Sequence, residues 1–249
     1  MCIRDRFKDN QRIQLNDSII QIENEYYSTI RPKRVCPTGE RPINVLNNEG
    51  IDYLELRCID LNPKAFVGIS EEQIYFLDLL ILFCLLSDSP DIAESESNEL
   101  FKTHKIIVNE GRSSEASITT LKGKISVREE AVRILDGMQE IAEFMSEEVS
   151  QGDRKWTDTL AHQKEVINSL DKSLSGSLLE EIKTNNLTLQ EYGMKMSLLH
   201  KEHMDNLATD DEYFFTTTSQ DSLETAKKIE ESKQENFEDY LKDFLNKIS

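Results

Sequence analysis

The sequence predicts an α+β chain in which two strands near the start, both parts of one sheet, precede a mainly helical region. Three observations carry this expectation. Residues 21–34 (QIENEYYSTIRPKR) and 50–63 (GIDYLELRCIDLNP) read as strands; residues 70–86 read as a capped apolar helix; and residues 92–247 repeat helical periodicity in an acidic background.

In the second segment, strand geometry sends Tyr53, Glu55 and Arg57 to one face and Leu54, Leu56 and Cys58 to the other, so one face is charged and one is apolar. The first segment, read the same way, sets Ile20, Ile22, Asn24 and Tyr26 against Gln21, Glu23, Glu25 and Tyr27. With the charged faces aligned in one sheet, carboxylates, an arginine and a tyrosine converge. Like charges opposed on a sheet are destabilising unless a cation or proton is supplied. An oxygen-only cluster suits a hard cation such as Mg²⁺ shared with substrate phosphates. An arginine two residues from such a carboxylate stands where it can neutralise a transferring phosphoryl group, so phosphoryl transfer is one reading of this face. The other is a solvated sheet face with cross-strand ion pairs.

Residues 35–49 hold Pro37, Gly39, Pro42, Asn47 and Asn48, which predicts a long loop. It follows Arg31, Lys33 and Arg34, a basic cluster that suits either a contact with nucleotide phosphate or plain surface exposure. Ser70-Glu71-Glu72-Gln73 is a capping box, and the helix it opens is apolar almost all round from Ile74 to Leu86 apart from Asp78. That run is shorter than the about 20 residues a bilayer span needs, so it is expected to be a buried helix packed on the sheet. A buried Asp78 would need a partner.

Further helices are expected over residues 92–110, 126–148, 155–170, 177–183, 188–207 and 221–247, with Gly111 ending the first. Val127, Val132, Ile134, Leu135, Met138, Ile141, Ala142 and Met145 form an amphipathic stripe, and the charge run 227–235 reads as a solvated face. His200 and His203 flank Glu202 at helical spacing, which suits two metal ligands or two exposed histidines; no HExxH pattern or cysteine pair accompanies them, which favours the second.

The chain has 249 residues with 47 acidic against 29 basic side chains, a formal charge of −18 that opposes binding to a polyanion. No nucleic-acid or membrane partner is expected. Cys36, Cys58 and Cys84 are widely spaced and read as reduced thiols of a cytoplasmic protein, Cys58 and Cys84 as small buried hydrophobes. The opening Met1-Cys2-Ile3-Arg4-Asp5-Arg6 has no signal-peptide character and reads as adaptor-derived, with native sequence beginning near Phe7.

The ordered blocks QIENEYYSTIRPKR, YLELRCIDLNP (53–63) and VGISEEQIYFLDLLILFCLLSDSP (67–90) resemble the corresponding part of proteobacterial-type glutamate-cysteine ligases, the gamma-glutamylcysteine synthetases. Beyond Pro90 the resemblance thins to places such as Asn109, Glu110, Gly111 and Arg112. It implies a C-terminal fragment of a longer enzyme, with a glutamine-synthetase-like antiparallel sheet and helices outside it. The implied division is residues 1–6 as non-native sequence, 7–90 as the C-terminal part of the catalytic sheet plus the buried helix, and 91–249 as an acidic helical region. The implied activity is ATP-dependent ligation of the gamma-carboxylate of L-glutamate to L-cysteine through a gamma-glutamyl phosphate, with Mg²⁺ as cofactor and ATP as co-substrate. The fragment alone is expected to be inactive. The resemblance carries a magnesium-ligand role onto Glu55, a catalytic role onto Arg57 and a place in the cysteine pocket onto Tyr27. Glu23 and Glu25 match the motif without a defined role. A non-catalytic, acidic helical interaction protein derived from the end of such an enzyme is the competing expectation.

Overall fold

The computed structural model describes residues 7–8, 11–12, 14–15, 18–22, 25–37, 40–121, 123–206, 212–232 and 236–246. Residues 1–6 and Glu23 lie outside them. The described chain is an α+β structure with short antiparallel strand pairs and a mainly helical remainder. It separates into two compact units, residues 1–60 with 208–249, and residues 61–207. The boundary expected at Pro90 falls inside the second of these.

The first unit holds β1 (Phe7–Lys8), β2 (Gln11–Arg12), β3 (Ile30–Lys33), α1 (Pro42–Glu49) and β4 (Tyr53–Leu56). β3 and β4 pair antiparallel in the register Ile30↔Leu56, Arg31↔Glu55, Pro32↔Leu54 and Lys33↔Tyr53. The first strand is thus shorter and later than the sequence suggests: residues 18–22 and 25–29 are bends and irregular backbone. Local side-chain bonds compete for their main chain. Leu15 N donates to Gln21 Oε1 at 2.7 Å and Gln21 N to Glu25 Oε2 at 2.9 Å, groups a ladder would otherwise use.

The segment expected to be a loop contains a helix. Pro42 at the first helical position pre-sets the backbone, Val45 is buried, and Gly50, at φ +81°, ends α1 with its N–H on Leu46 O at 2.9 Å. Arg34 pins that end. Its guanidinium donates to the Glu49 carbonyl at 3.0 Å, pairs with the Glu49 carboxylate at 2.9 Å and reaches Asp52 at 2.9 Å, placing positive charge where the helix dipole is negative.

The second unit begins with α2 (Glu71–Leu86), whose capping box forms as the sequence predicts: Gln73 N donates to Ser70 Oγ at 3.2 Å and Ser70 N to Gln73 Oε1 at 2.9 Å. Then come α3 (Glu94–Glu110), the hairpin β5 (Ser117–Thr120) and β6 (Gly123–Ser126), α4 (Val127–Gly137), α5 (Gln139–Phe144), a π-turn at Met145–Val149, α6 (Lys155–Asn168), α7 (Leu174–Thr184) and α8 (Leu189–Asp205). The β5–β6 hairpin was not foreseen.

The core of this unit is Leu79, Leu135, Met138, Ala142, Trp156 and Leu160, contributed by α2, α4, α5 and α6 together with Met138 between α4 and α5. α2 therefore packs on helices rather than on a sheet, and it is buried on one face only: Leu79 is fully buried, whereas Asp78, Cys84, Leu85 and Leu86 are exposed. Asp78 needs no buried partner. Gly137 permits the close approach of α4 to α2, since a Cβ there would lie 2.5 Å from Phe83 Cε2. The buried Ser146 is satisfied, with its carbonyl accepting from Gly152 N at 2.8 Å and its hydroxyl from Thr157 N at 3.4 Å.

The expected helix 221–247 is two helices, α9 (Glu212–Glu231) and α10 (Phe237–Asn246), which belong to the first unit. α10 buries Leu241 and presents Phe244 beneath Arg41, whose guanidinium carbon lies 5.7 Å from the ring centroid. Among the described residues no helix is long and apolar enough to cross a membrane.

Candidate active-site face

The β3–β4 register decides which side chains share a face. Tyr53, Glu55 and Arg57 of the second strand and its extension lie with Arg31 and Lys33, while Leu54 and Leu56 lie with Ile30 and Pro32. The pairing continues one step past β4, with Arg57 N donating to Thr29 O at 2.8 Å, and this holds Arg57 in strand-like alternation with Glu55.

On this face Arg57 Nη2 donates to Glu55 Oε2 at 2.9 Å, and Lys33 Nζ stands 3.4 Å from the same oxygen. The Arg57 hydrogen bond, with a further contribution from Lys33, holds the Glu55 carboxyl below its ordinary value against the opposing effect of burial. The Glu55 hydrogen bond raises the Arg57 guanidinium in turn. Arg57 also lies over Tyr27, its guanidinium carbon 5.0 Å from the ring centroid, a cation–π contact with the segment that leads into β3. Tyr27, Glu55 and Arg57, singled out separately in the sequence, are thus one chain of contacts.

Among the described residues the expected convergence of carboxylates does not form. Glu25 is exposed on irregular backbone, and its carboxylate accepts from Gln21 N, so Glu55 is the acidic member of the strand pair's charged face. The other charged members are Arg31, Lys33 and Arg57. Sequence reading missed Lys33 as a partner of Glu55 because the cross-strand register was not legible; the signal lay in the basic run Arg31-Pro32-Lys33-Arg34. Arg34, grouped with that run, belongs to the end of α1 instead.

For a magnesium ion, the ionised Glu55 carboxylate is a hard oxygen donor of the fitting kind. Among the described residues no group of three or more His, Cys, Asp or Glu is assembled to hold a metal, so they offer this face one ligand rather than a full set. His200 and His203 are not a metal pair: His200 Nε2 donates to Pro63 O at 2.8 Å, and both rings meet Phe66 edge-on, at 6.0 and 4.7 Å between centroids. Cys58 and Cys84 are exposed rather than buried, and Cys36 is half-buried with its thiol donating to Glu40 O at 3.3 Å.

A cavity of about 380 Å³ in the second unit is lined by charged groups of α2 and α6. Most of them pair with one another, and Asp158 pairs with Arg154. Glu71 accepts from Tyr75 at 2.8 Å and from Lys155 at 3.2 Å, and His162 pairs with Glu72, so this is an ion-paired seam between two helices and not a candidate site.

The sequence profile of the glutamate-cysteine ligase family matches residues 3–107. The glutamate–cysteine ligase of Alcanivorax borkumensis is 34% identical over 237 residues, covering 94% of this chain and 44% of that protein. That of Saccharophagus degradans is 31% identical over 234 residues, covering 93% and 44%. A crystal structure of glutamate–cysteine ligase from Francisella tularensis in complex with AMP superposes with a TM-score of 0.83 at 23% identity, covering 97% of this chain and 48% of that one, which shows a shared fold. The chain spans less than half the length of these relatives. With the relatives aligned along nearly the whole of its length, the chain belongs to the glutamate-cysteine ligase family.

Proposed function

We propose that this chain carries part of the active site of an ATP-dependent ligase that joins the gamma-carboxylate of L-glutamate to the amino group of L-cysteine through a gamma-glutamyl phosphate. The observation that carries the reading is the contact chain Tyr27–Arg57–Glu55 on one face of the β3–β4 pair. The names of the relatives and the AMP complex of the Francisella enzyme support the nucleotide and amino-acid chemistry.

In this reading Arg57, held beside Glu55 and the Tyr27 ring before the nucleotide binds, neutralises charge on the phosphoryl group in flight with its planar fork. Glu55 is one ligand of Mg²⁺, which when bound neutralises and orients the phosphates. Tyr27, 72% exposed here, supplies an aromatic wall to the cysteine pocket. The strand pair holds these groups at fixed separation, which is the pre-organisation such chemistry depends on.

The isolated 249-residue chain forms no gamma-glutamylcysteine in this reading, because its described residues supply one carboxylate to the metal and it spans 44% of the length of its relatives. Product formation by the purified chain would overturn that claim. In the complete enzyme carrying this segment, Arg57→Lys keeps the charge but loses the fork, so turnover falls far more than apparent glutamate affinity. Glu55→Gln raises the Mg²⁺ concentration needed for half activity. Steady-state kinetics with Mg²⁺, ATP and glutamate varied separately test both; wild-type turnover and metal dependence in the two variants would sink the assignment.

A further inference from the structure

We propose that Lys33 is a second phosphate-binding cation of this face, and that Lys33 and Arg57 engage the phosphate chain of a nucleotide by exchanging Glu55 for phosphate oxygens. The inference rests on the phosphoryl-transfer reading above and adds to it a residue and a binding mode.

Among the described residues the register sets Lys33 beside Glu55 and Arg57 on one strand face, two cations on one carboxylate, in a chain whose formal charge is −18. A local excess of positive charge in so acidic a protein focuses an attractive field for anions on this face. Arg57 Nη2 and Lys33 Nζ both stand at a single oxygen, Glu55 Oε2, at 2.9 and 3.4 Å. One carboxylate oxygen holding two cations side by side occupies the position a phosphate oxygen would take. The side chains are all partly open to solvent, with 22% of Arg57, 32% of Lys33 and 34% of Glu55 accessible, so incoming oxygens can reach them without unfolding the β3–β4 pair. A polyphosphate offers several oxygens where Glu55 Oε2 offers one, which lets the two cations separate their bonds and relieves their mutual repulsion.

The exchange makes a second demand. Whatever draws Glu55 towards a metal releases Lys33 and Arg57 towards phosphate, so Mg²⁺ and polyphosphate favour one another's binding, and by linkage the effect is mutual. Lys33 is a point charge on a flexible stem and can follow the phosphate, whereas Arg57 is held over the Tyr27 ring.

The test is titration of the purified 249-residue chain with inorganic tripolyphosphate, with and without Mg²⁺, read by calorimetry and by the side-chain NMR signals of Lys33 and Arg57. Saturable binding that moves both signals and tightens with Mg²⁺ is expected. Lys33→Ala should weaken it about tenfold, the effect of losing one charge-assisted contact, and Lys33→Arg should retain most of it. Backbone signals of Ile30–Lys33 and Tyr53–Leu56 verify that the strand pair persists, and Lys102→Ala on α3 controls for bulk charge. Absence of saturable binding, an unmoved Lys33 signal, or wild-type affinity in Lys33→Ala overturns the proposal. If Lys33→Ala binds normally while Arg57→Lys and Glu55→Gln still impair the complete enzyme, the Lys33 role alone falls. If those two also behave as wild type, the phosphoryl-transfer reading falls with it.

Discussion

Glu55 is the residue on which the candidate site turns, because two cations share one of its oxygens and its carboxyl is held below the ordinary value of 4.5. The sign of the pH effect follows. A carboxyl whose folded value is depressed contributes stability that is present above its unfolded value and is lost as pH falls through the folded one. The Glu55 cluster therefore holds at neutral pH and dissolves on the acid side of 4.5. Following the Glu55 carboxyl carbon by NMR should give a midpoint below 4.5, and Arg57→Ala, which removes the largest cause, should move it back up. An unchanged midpoint would mean that the ion pair does not persist in solution. Tyr27 meets the other partner of this pair, Arg57, and in the complete enzyme Tyr27→Ala should chiefly raise the apparent KM for cysteine while leaving that for ATP little changed; the reverse pattern would assign the ring to the nucleotide. These three residues were legible in the sequence through their motifs and the alternation of residues 53–57. Lys33 was not, since a partner across a strand pair depends on a register that a single sequence does not disclose.

At the scale of elements, legibility tracked how local the deciding interactions are. The α2 start was readable because Ser70 and Gln73 cap each other within four residues, and the end of α3 at Gly111 likewise. α1 was hidden because Pro42 and the Asn47-Asn48 pair look like turn residues, while what secures its end, the Arg34 grip, comes from another element. The β5–β6 hairpin was hidden for the same reason: four-residue strands such as Ser117-Ile118-Thr119-Thr120 carry too little pattern, and Ile118 becomes core only when folded. The apolar run of α2 was over-read as wholly buried, since composition does not tell which face finds cover. This separates two stabilities that can be measured. Ser70→Ala removes the cap and should cost about 0.5–2 kcal/mol. Leu79→Ala opens a cavity beneath α2 at a fully buried position and should cost about 2–5 kcal/mol. Trp156, the single tryptophan, lies in that core with its ring 4.7 Å edge-on from Tyr75, so denaturant titration of its fluorescence reports both. A Leu79→Ala cost no larger than that of Ser70→Ala would show that the α2 face is not the core it looks.

Over the whole molecule, fold and family were legible from one end of the chain, whereas the division into units was not, because residues 208–249 join residues 1–60 across nearly 150 intervening positions. Periodicity reports faces, not distant partners. The two units differ in what holds them. Among the described residues, buried apolar side chains in the first are Val45 and Leu241, while the second buries Leu79, Ala116, Ile118, Leu135, Met138, Ala142, Trp156, Leu160 and Tyr192. Apolar burial is the main favourable contribution to folding, so the first unit, whose β3–β4 pair carries the candidate site, should open at lower denaturant than the second. Hydrogen exchange should show the amides of Tyr53–Leu56 exchanging well before those of Lys155–Asn168. Denaturation should then be biphasic, with the Trp156 signal in the later step, and a single apparent free energy would not describe it. A ligand engaging Lys33 and Arg57 should raise the first transition selectively, since binding to the folded form stabilises only the unit that folds to make the site. Coincident transitions by fluorescence and by amide exchange of the β3–β4 pair, shifted together by tripolyphosphate, would show instead that the chain unfolds as one cooperative body.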